Sequence, residues 1–151
     1  MNLPSYIQLL RPDVDWERLD YDCLKQVITT ARYAHLRYRW VLVLHEGFTQ
    51  GGHSPTSLHY KGKAVDGHFE NKRGRVVPLF DQFVLLCRFG WGGIGLYPHW
   101  AHPGFHADIR TPGAYGQRAF WWRDDRDTSV PVSERYRPLE MRYWRIIFVG
   151  G

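Results

Sequence analysis

The sequence predicts an α+β domain with a small antiparallel sheet flanked by helices. Three observations lead there. Apolar residues recur at helical steps in two stretches and at strand-like density in four, and the two kinds are interleaved along the chain. Most strand-like stretches lie close together in sequence, which favours antiparallel pairing through short connections. At 151 residues, with 44% hydrophobic and 23% charged residues, the chain suits one domain spanning residues 1–151 with an ordinary core.

The elements follow in order. Residues 15–36 read as a helix: Asp13 or Asp15 can cap it, and Leu19, Leu24, Val27, Ile28 and Ala31 recur at three- and four-residue steps. Residues 39–46 are rich in β-branched and apolar residues and read as a strand. A Gly/Ser/Pro/Thr-rich loop fills residues 47–57, a second strand covers 63–70, and residues 71–74 make a turn. Residues 77–89 read as a buried helix with Pro78 in its first turn, ended by Gly90, Gly92 and Gly93. Residues 94–97 and 105–110 form two short strands joined by a Pro/His/Trp loop. Residues 133–142 read as helical, and residues 143–149 as a strand or the continuation of that helix.

Composition narrows the function classes. A net charge of +5 draws the chain to polyanions, but its Lys and Arg residues are scattered without a dense basic tract, so no nucleic-acid partner is expected. Seven Trp residues call for a dense core or an aromatic-lined cleft. Trp91, Trp100, Trp121 and Trp122 are candidates for a sugar or peptide platform, with core packing expected for at least two. Cys23 and Cys87 lie in apolar, helix-like sequence and are expected as free thiols. No stretch approaches the ~20 apolar residues of a membrane span. The first residues lack a basic start followed by an apolar run, so synthesis in the cytoplasm without a signal peptide is expected; the oligomeric state is open, with a monomer as the default.

The chemistry concentrates on histidine. His59 and Asp66 stand seven apart, a spacing suited to a loop entering a strand, with Gly62 permitting a sharp turn and Ala64 leaving room for close approach. Imidazole nitrogen and carboxylate oxygen are zinc donors, and a catalytic zinc takes three protein ligands plus an open position. The best third ligand is His106, which on a strand shares one face with Asp108 and Arg110. Asp108 is placed to orient a ligand or activate water. His68 falls on the Asp66 face and can border the metal; His45 and Glu46 read as strand residues, and His53 and His99 as loop residues.

Together, Ser57-x-His59-x-x-Gly62-x-Ala64-x-Asp66, then Gly93-Ile94-Gly95-x-Tyr97-Pro98, then Phe105-His106-x-Asp108-x-Arg110 resemble the zinc D-Ala-D-Ala carboxypeptidases of peptidase family M15. That group includes peptidoglycan-cutting phage endolysins and shares its fold with the hedgehog signalling domain. The resemblance covers about residues 40–122. It implies a hedgehog/D-Ala-D-Ala-peptidase type of fold, Zn2+ held by His59, Asp66 and His106, and hydrolysis of peptide bonds in peptidoglycan stem peptides or cross-links at the bacterial wall after release. Relatives carry Ser-Gly-aromatic-Arg on the strand before the first motif; here that place reads Glu46-Gly47-Phe48-Thr49, and Gln50 or Arg110 are the candidate substrate-binding replacements. The general base is sought between His102 and Asp108. The rival expectations are a catalytically impaired zinc-binding structural or recognition domain of a phage or bacterium, and, on charge and aromatics alone, a nucleic-acid module.

Overall fold

A computed structural model describes residues 2–123 and 136–138. One mixed sheet organises it, with strand order β1-β2-β3-β5-β4-β6-β7. The strands are β1 (Ile7–Leu9), β2 (Val41–Glu46), β3 (Ala64–Glu70), β4 (Gly93–Tyr97), β5 (Gly104–Asp108), β6 (Ala119–Arg123) and β7 (Tyr136–Pro138). The α+β class stands, but the sheet is neither small nor wholly antiparallel. Among the described residues it has seven strands, and β1 runs parallel to β2 and β6 parallel to β4. The parallel pairs escape a reading based on neighbouring stretches, because each needs a long excursion through a helix or loop.

Helix α1 spans Tyr21–Tyr38, and its cap is Asp20, whose side chain accepts the Asp22 backbone N–H. Asp13 and Asp15 do not cap it. Asp15 instead bridges to Phe48 and takes the Arg18 side chain in an ion pair, holding the chain entrance extended. The helix ends where Arg39 enters the left-handed region, so β2 begins at Val41 instead of residue 39. Helix α2 spans Leu79–Arg88, with Pro78 outside the first turn as its N-cap residue. Residues 136–138 of the expected 133–142 helix are strand β7; the rest of that stretch and residues 143–149 lie outside the described residues.

Both helices cover one face of the sheet. Strand alternation sends Leu42, Leu44, Val65, Phe69, Ile94, Leu96, Phe105, Ala107 and Trp122 into a core with Leu24, Val27 and Ala31 of α1 and Leu79, Phe83 and Leu86 of α2. Trp91 is fully buried there, its indole N–H donating to Thr30 Oγ1 at 3.2 Å. Cys23 is buried and Cys87 half-buried, and both are free thiols. Among the described residues, no helix is long and apolar enough to cross a membrane. The opposite sheet face carries polar residues in register, and there the candidate site lies.

Candidate metal centre

Register sets the site. Glu46 pairs with Asp66, Asp66 with His106, His106 with Gly95, and Gly95 with Trp121, a row that crosses five strands. A second row places Ala64, Asp108 and Gly93 side by side. The two glycines make the floor. A side chain at Gly95 would collide with the Trp121 ring, and one at Gly93 would meet the Asp108 carboxylate and the Arg110 guanidinium. The Gly-Ile-Gly stretch thus places Ile94 in the core while its flanking glycines leave room for functional groups.

His59 reaches this row from a short 3-10 turn, Leu58–Lys61. The Ser57 side chain accepts the His59 backbone N–H, and Gly62 closes the turn at φ 66°. A Cβ at Gly62 would lie 2.6 Å from the Arg18 carbonyl oxygen, so glycine is required both for the turn and for its docking against the start of α1. Each fixed position of the first motif therefore has a physical reason. Ser57 caps the turn, Gly62 closes it, Ala64 is the small neighbour of Asp108, and His59 and Asp66 are donors.

Three atoms converge. His59 Nε2 lies 3.2 Å from Asp66 Oδ1 and 3.3 Å from His106 Nδ1, and His106 Nδ1 lies 2.9 Å from Asp66 Oδ1. The outer nitrogens are already committed: His59 Nδ1 donates to the Gly47 carbonyl at 2.8 Å, and His106 Nε2 donates to Asp108 Oδ2 at 2.9 Å. With both rings neutral, two lone pairs and a carboxylate face one another with no hydrogen among them. Such a trio needs a cation, either a proton or a metal ion. Donors about 2.0–2.1 Å from a tetrahedral zinc ion stand about 3.3 Å apart, so the spacing fits an ion with little movement. These residues fit a metal ion.

The electrostatics agree. Burial opposes charge on His106, but the hydrogen bonds to Asp108 and Asp66 outweigh it and lift its pKa to about 9. Burial likewise opposes ionisation of Asp66, yet the hydrogen bonds from His106 and His59 hold it well below the usual carboxylate range. His59 is raised despite burial by its bond to Asp66. The cluster takes up a proton in the absence of stronger positive charge.

Asp108 is fully buried and fully engaged. Its Oδ2 accepts from His106 and from Arg110 Nη2 at 2.6 Å, and its Oδ1 accepts from Arg110 Nε at 2.8 Å and the Arg110 backbone N–H at 3.1 Å. Burial resists its ionisation, but Arg110 and His106 keep it well below the ordinary range. This arrangement orients His106 and is poor for accepting a further proton. Replacing Asp108 with Asn should lower metal affinity about 10–100-fold, measured by chelator competition, because the amide holds the His106 ring less strongly. Unchanged affinity would show that Asp108 does not support the ligand.

The centre opens on a cavity of about 900 Å3 walled by Tyr97, Trp100, Trp121, His53 and Arg110. Tyr97 and Trp100 stack at 4.3 Å, the Trp121 indole donates to the Tyr97 hydroxyl, and the Arg110 guanidinium lies 5.2 Å over Trp121. Trp100 and Trp121 therefore face the cleft, whereas Trp91 and Trp122 are core. Arg110 lies in this wall; Gln50 is exposed in the preceding loop and lines neither this cavity nor the smaller one. His102 sits on that smaller cavity, which shares Asp66 with the first.

One pair beside the centre is unannounced by spacing. His53 Nε2 meets Glu46 Oε2 at 2.9 Å, and the His53 ring stacks on His59 at 4.6 Å and 12°. Glu46, His53 and His59 are a second trio close enough for a metal. However, the parallel rings and the Gly47 bond to His59 Nδ1 leave the first trio as the better convergent donor set. The loop fold that brings His53 back over His59 rests on Tyr60, whose hydroxyl donates to the His53 carbonyl and accepts the His53 backbone N–H. No family model matches the chain, and no curated protein sequence matches it.

Proposed function

We propose that the chain is a zinc-dependent peptidase of the M15 type, with the hedgehog/D-Ala-D-Ala-peptidase fold, cutting peptide bonds in peptidoglycan stem peptides or cross-links. The observation that carries this reading is the meeting of three acceptor atoms from His59, Asp66 and His106 at tetrahedral spacing on the floor of an open cleft. Two imidazoles and one carboxylate leave a coordination position open, as a catalytic site requires and a closed structural site does not. A zinc ion there supplies Lewis acidity and makes water nucleophilic near neutral pH.

The chain's own residues supply the rest. Asp108 fixes the His106 tautomer. Arg110, held by Asp108 and laid over Trp121, presents its remaining N–H groups to a substrate carboxylate or developing oxyanion. Of the groups able to carry a proton, His53 lines the main cleft, stacks on the ligand His59 and is hydrogen-bonded to Glu46 behind it. Asp108 is held by its partners, and His102 opens on the neighbouring cavity. The Tyr97–Trp100 stack and Trp121 offer flat walls to a peptide or sugar. The net charge of +5 favours adhesion to an anionic wall.

Purified peptidoglycan should release new amino or carboxyl termini with the protein, lose that activity on chelation and recover it with zinc. A second reading, a zinc-binding domain without catalysis, is favoured by Thr49, which stands where the relatives carry Arg and donates its hydroxyl to the Gly51 carbonyl. Retention of zinc with no bond cut would select that reading.

A further inference from the structure

Outside the metal cluster another set of titratable side chains converges. His68, fully buried on β3, stands two residues from Asp66 on the same face. Its Nε2 lies 3.1 Å from Glu70 Oε1, and its Nδ1 lies 2.6 Å from His45 Nε2. A carboxylate only accepts, so His68 donates from Nε2 to Glu70 and accepts at Nδ1, and the donor to it is His45 Nε2–H. With both rings neutral the polarity of the chain is thereby fixed, and His45 Nδ1 is left as a lone pair. No described residue donates to that atom. Burial first, and His68 second, bring His45 down to about 4, so its ring is a neutral acceptor at neutral pH.

This lone pair belongs to a residue lining a cavity of about 330 Å3 that Glu46, Trp100, His102 and Leu10 also line. Glu46 Oε2 accepts from His53, and no described residue donates to its Oε1. The Trp100 ring packs beside His45 at 5.2 Å, and His102 stacks on His68 at 4.9 Å, closing the relay from above. Arg11 also lines the cavity, its side chain 60% exposed and its Nε paired with Asp13. The lining therefore presents two carboxylates, a neutral acceptor, an aromatic ring and an apolar wall, with the one guanidinium, that of Arg11, drawn off to Asp13. An anion would meet Glu46 and Asp66 there; a compact cation on an apolar stem finds both acceptors and a ring face.

We propose that this second cavity is a binding subsite for a primary alkylamine group, held by His45 and Glu46 against Trp100. Asp66 and Trp100 line both cavities, so a ligand crossing the metal centre enters each. Resting on the peptidase reading, the amine belongs to a residue adjoining the cut bond, and the substrate extends to both sides of the metal, as for cleavage within a chain.

The test uses the full chain labelled with 15N-histidine, titrated at constant ionic strength with n-butylammonium chloride, n-butanol and sodium butyrate. The His45 ring signals, identified by their loss in His45→Gln, should move saturably with n-butylammonium. Binding of n-butanol should be weaker by about tenfold or more, as should that of n-butylammonium to Glu46→Gln. No saturable movement, equal binding of n-butanol, or preferential binding of butyrate overturns the proposal. Followed over all histidine ring signals of the unaltered protein, the three-ligand comparison decides the matter even if a variant fails to fold, since one ring must move saturably and selectively with n-butylammonium. Because neither metal nor hydrolysis enters the readout, its failure is distinct from failure of the peptidase reading.

Discussion

Asp66→Ala should lower zinc affinity by more than about 100-fold, beyond the effect of losing a supporting group such as Asp108. Asp66 is the one anionic member of the donor trio, and its Oδ1 touches both imidazoles. Without it, two neutral rings face each other with nothing to hold their lone pairs together. Competition against a chromophoric chelator measures the loss, and zinc retained at near-native affinity would sink the assigned ligand set. The same trio sets a pH dependence. In the metal-free protein His106 titrates at about 9, so below that value a proton occupies the nitrogen that the metal needs. Apparent zinc affinity should therefore climb about tenfold or more per pH unit between pH 6.5 and 8. The sign for stability runs the other way in the metal-free protein. A raised His106 contributes stability that is fully present below its unfolded value of 6.5 and fades as pH rises through about 9. The metal-free melting temperature should fall across that window, and added zinc should remove the fall.

The largest loss of stability is expected far from the metal. Trp91→Ala removes a fully buried indole and leaves Thr30 Oγ1 without its donor. Large-to-small changes of this kind cost about 3–5 kcal/mol, a substantial part of the ~5–15 kcal/mol typical of a whole domain. For a chain of this size the melting temperature should drop by about 10 °C. Zinc affinity of the folded fraction should stay within about threefold of the parent, since Trp91 contacts the core face and touches no ligand. A melting temperature unchanged on thermal denaturation would show that the core between α1 and the sheet is not packed as described.

The donor motif was legible because its parts act locally. Ser57 caps, Gly62 turns and Asp66 follows on the strand, all within ten residues. Core and site faces of β3 and β5 could likewise be read from alternation. What was hidden depended on distant partners. The three-residue strands β1 and β7 are too short to show a period, and β6 gains its place by parallel pairing with β4. Asp15 looks as good a helix cap as Asp20 until Phe48 comes to pair beside it. His45 read as an ordinary strand residue because an irregularity between Leu44 and Glu46 sets its position against β3, and only the paired register brings it to His68. The Glu46–His53 contact needs a loop to fold back on itself, which no spacing announces.

The alternation of Asp66, His68 and Glu70 against Val65 and Phe69 on β3 has a consequence for assembly of the sheet. Slipping this strand by one residue would drive a carboxylate, an imidazole and a second carboxylate under the helices and push Phe69 into water. Mispaired forms of this strand are thus penalised twice, by buried charge and by lost apolar contact. The residues assigned to ligand and relay duties also proofread the fold, so neutralising them, for example by His68→Leu, should make the nascent chain less discriminating among strand pairings even where the finished protein tolerates the change.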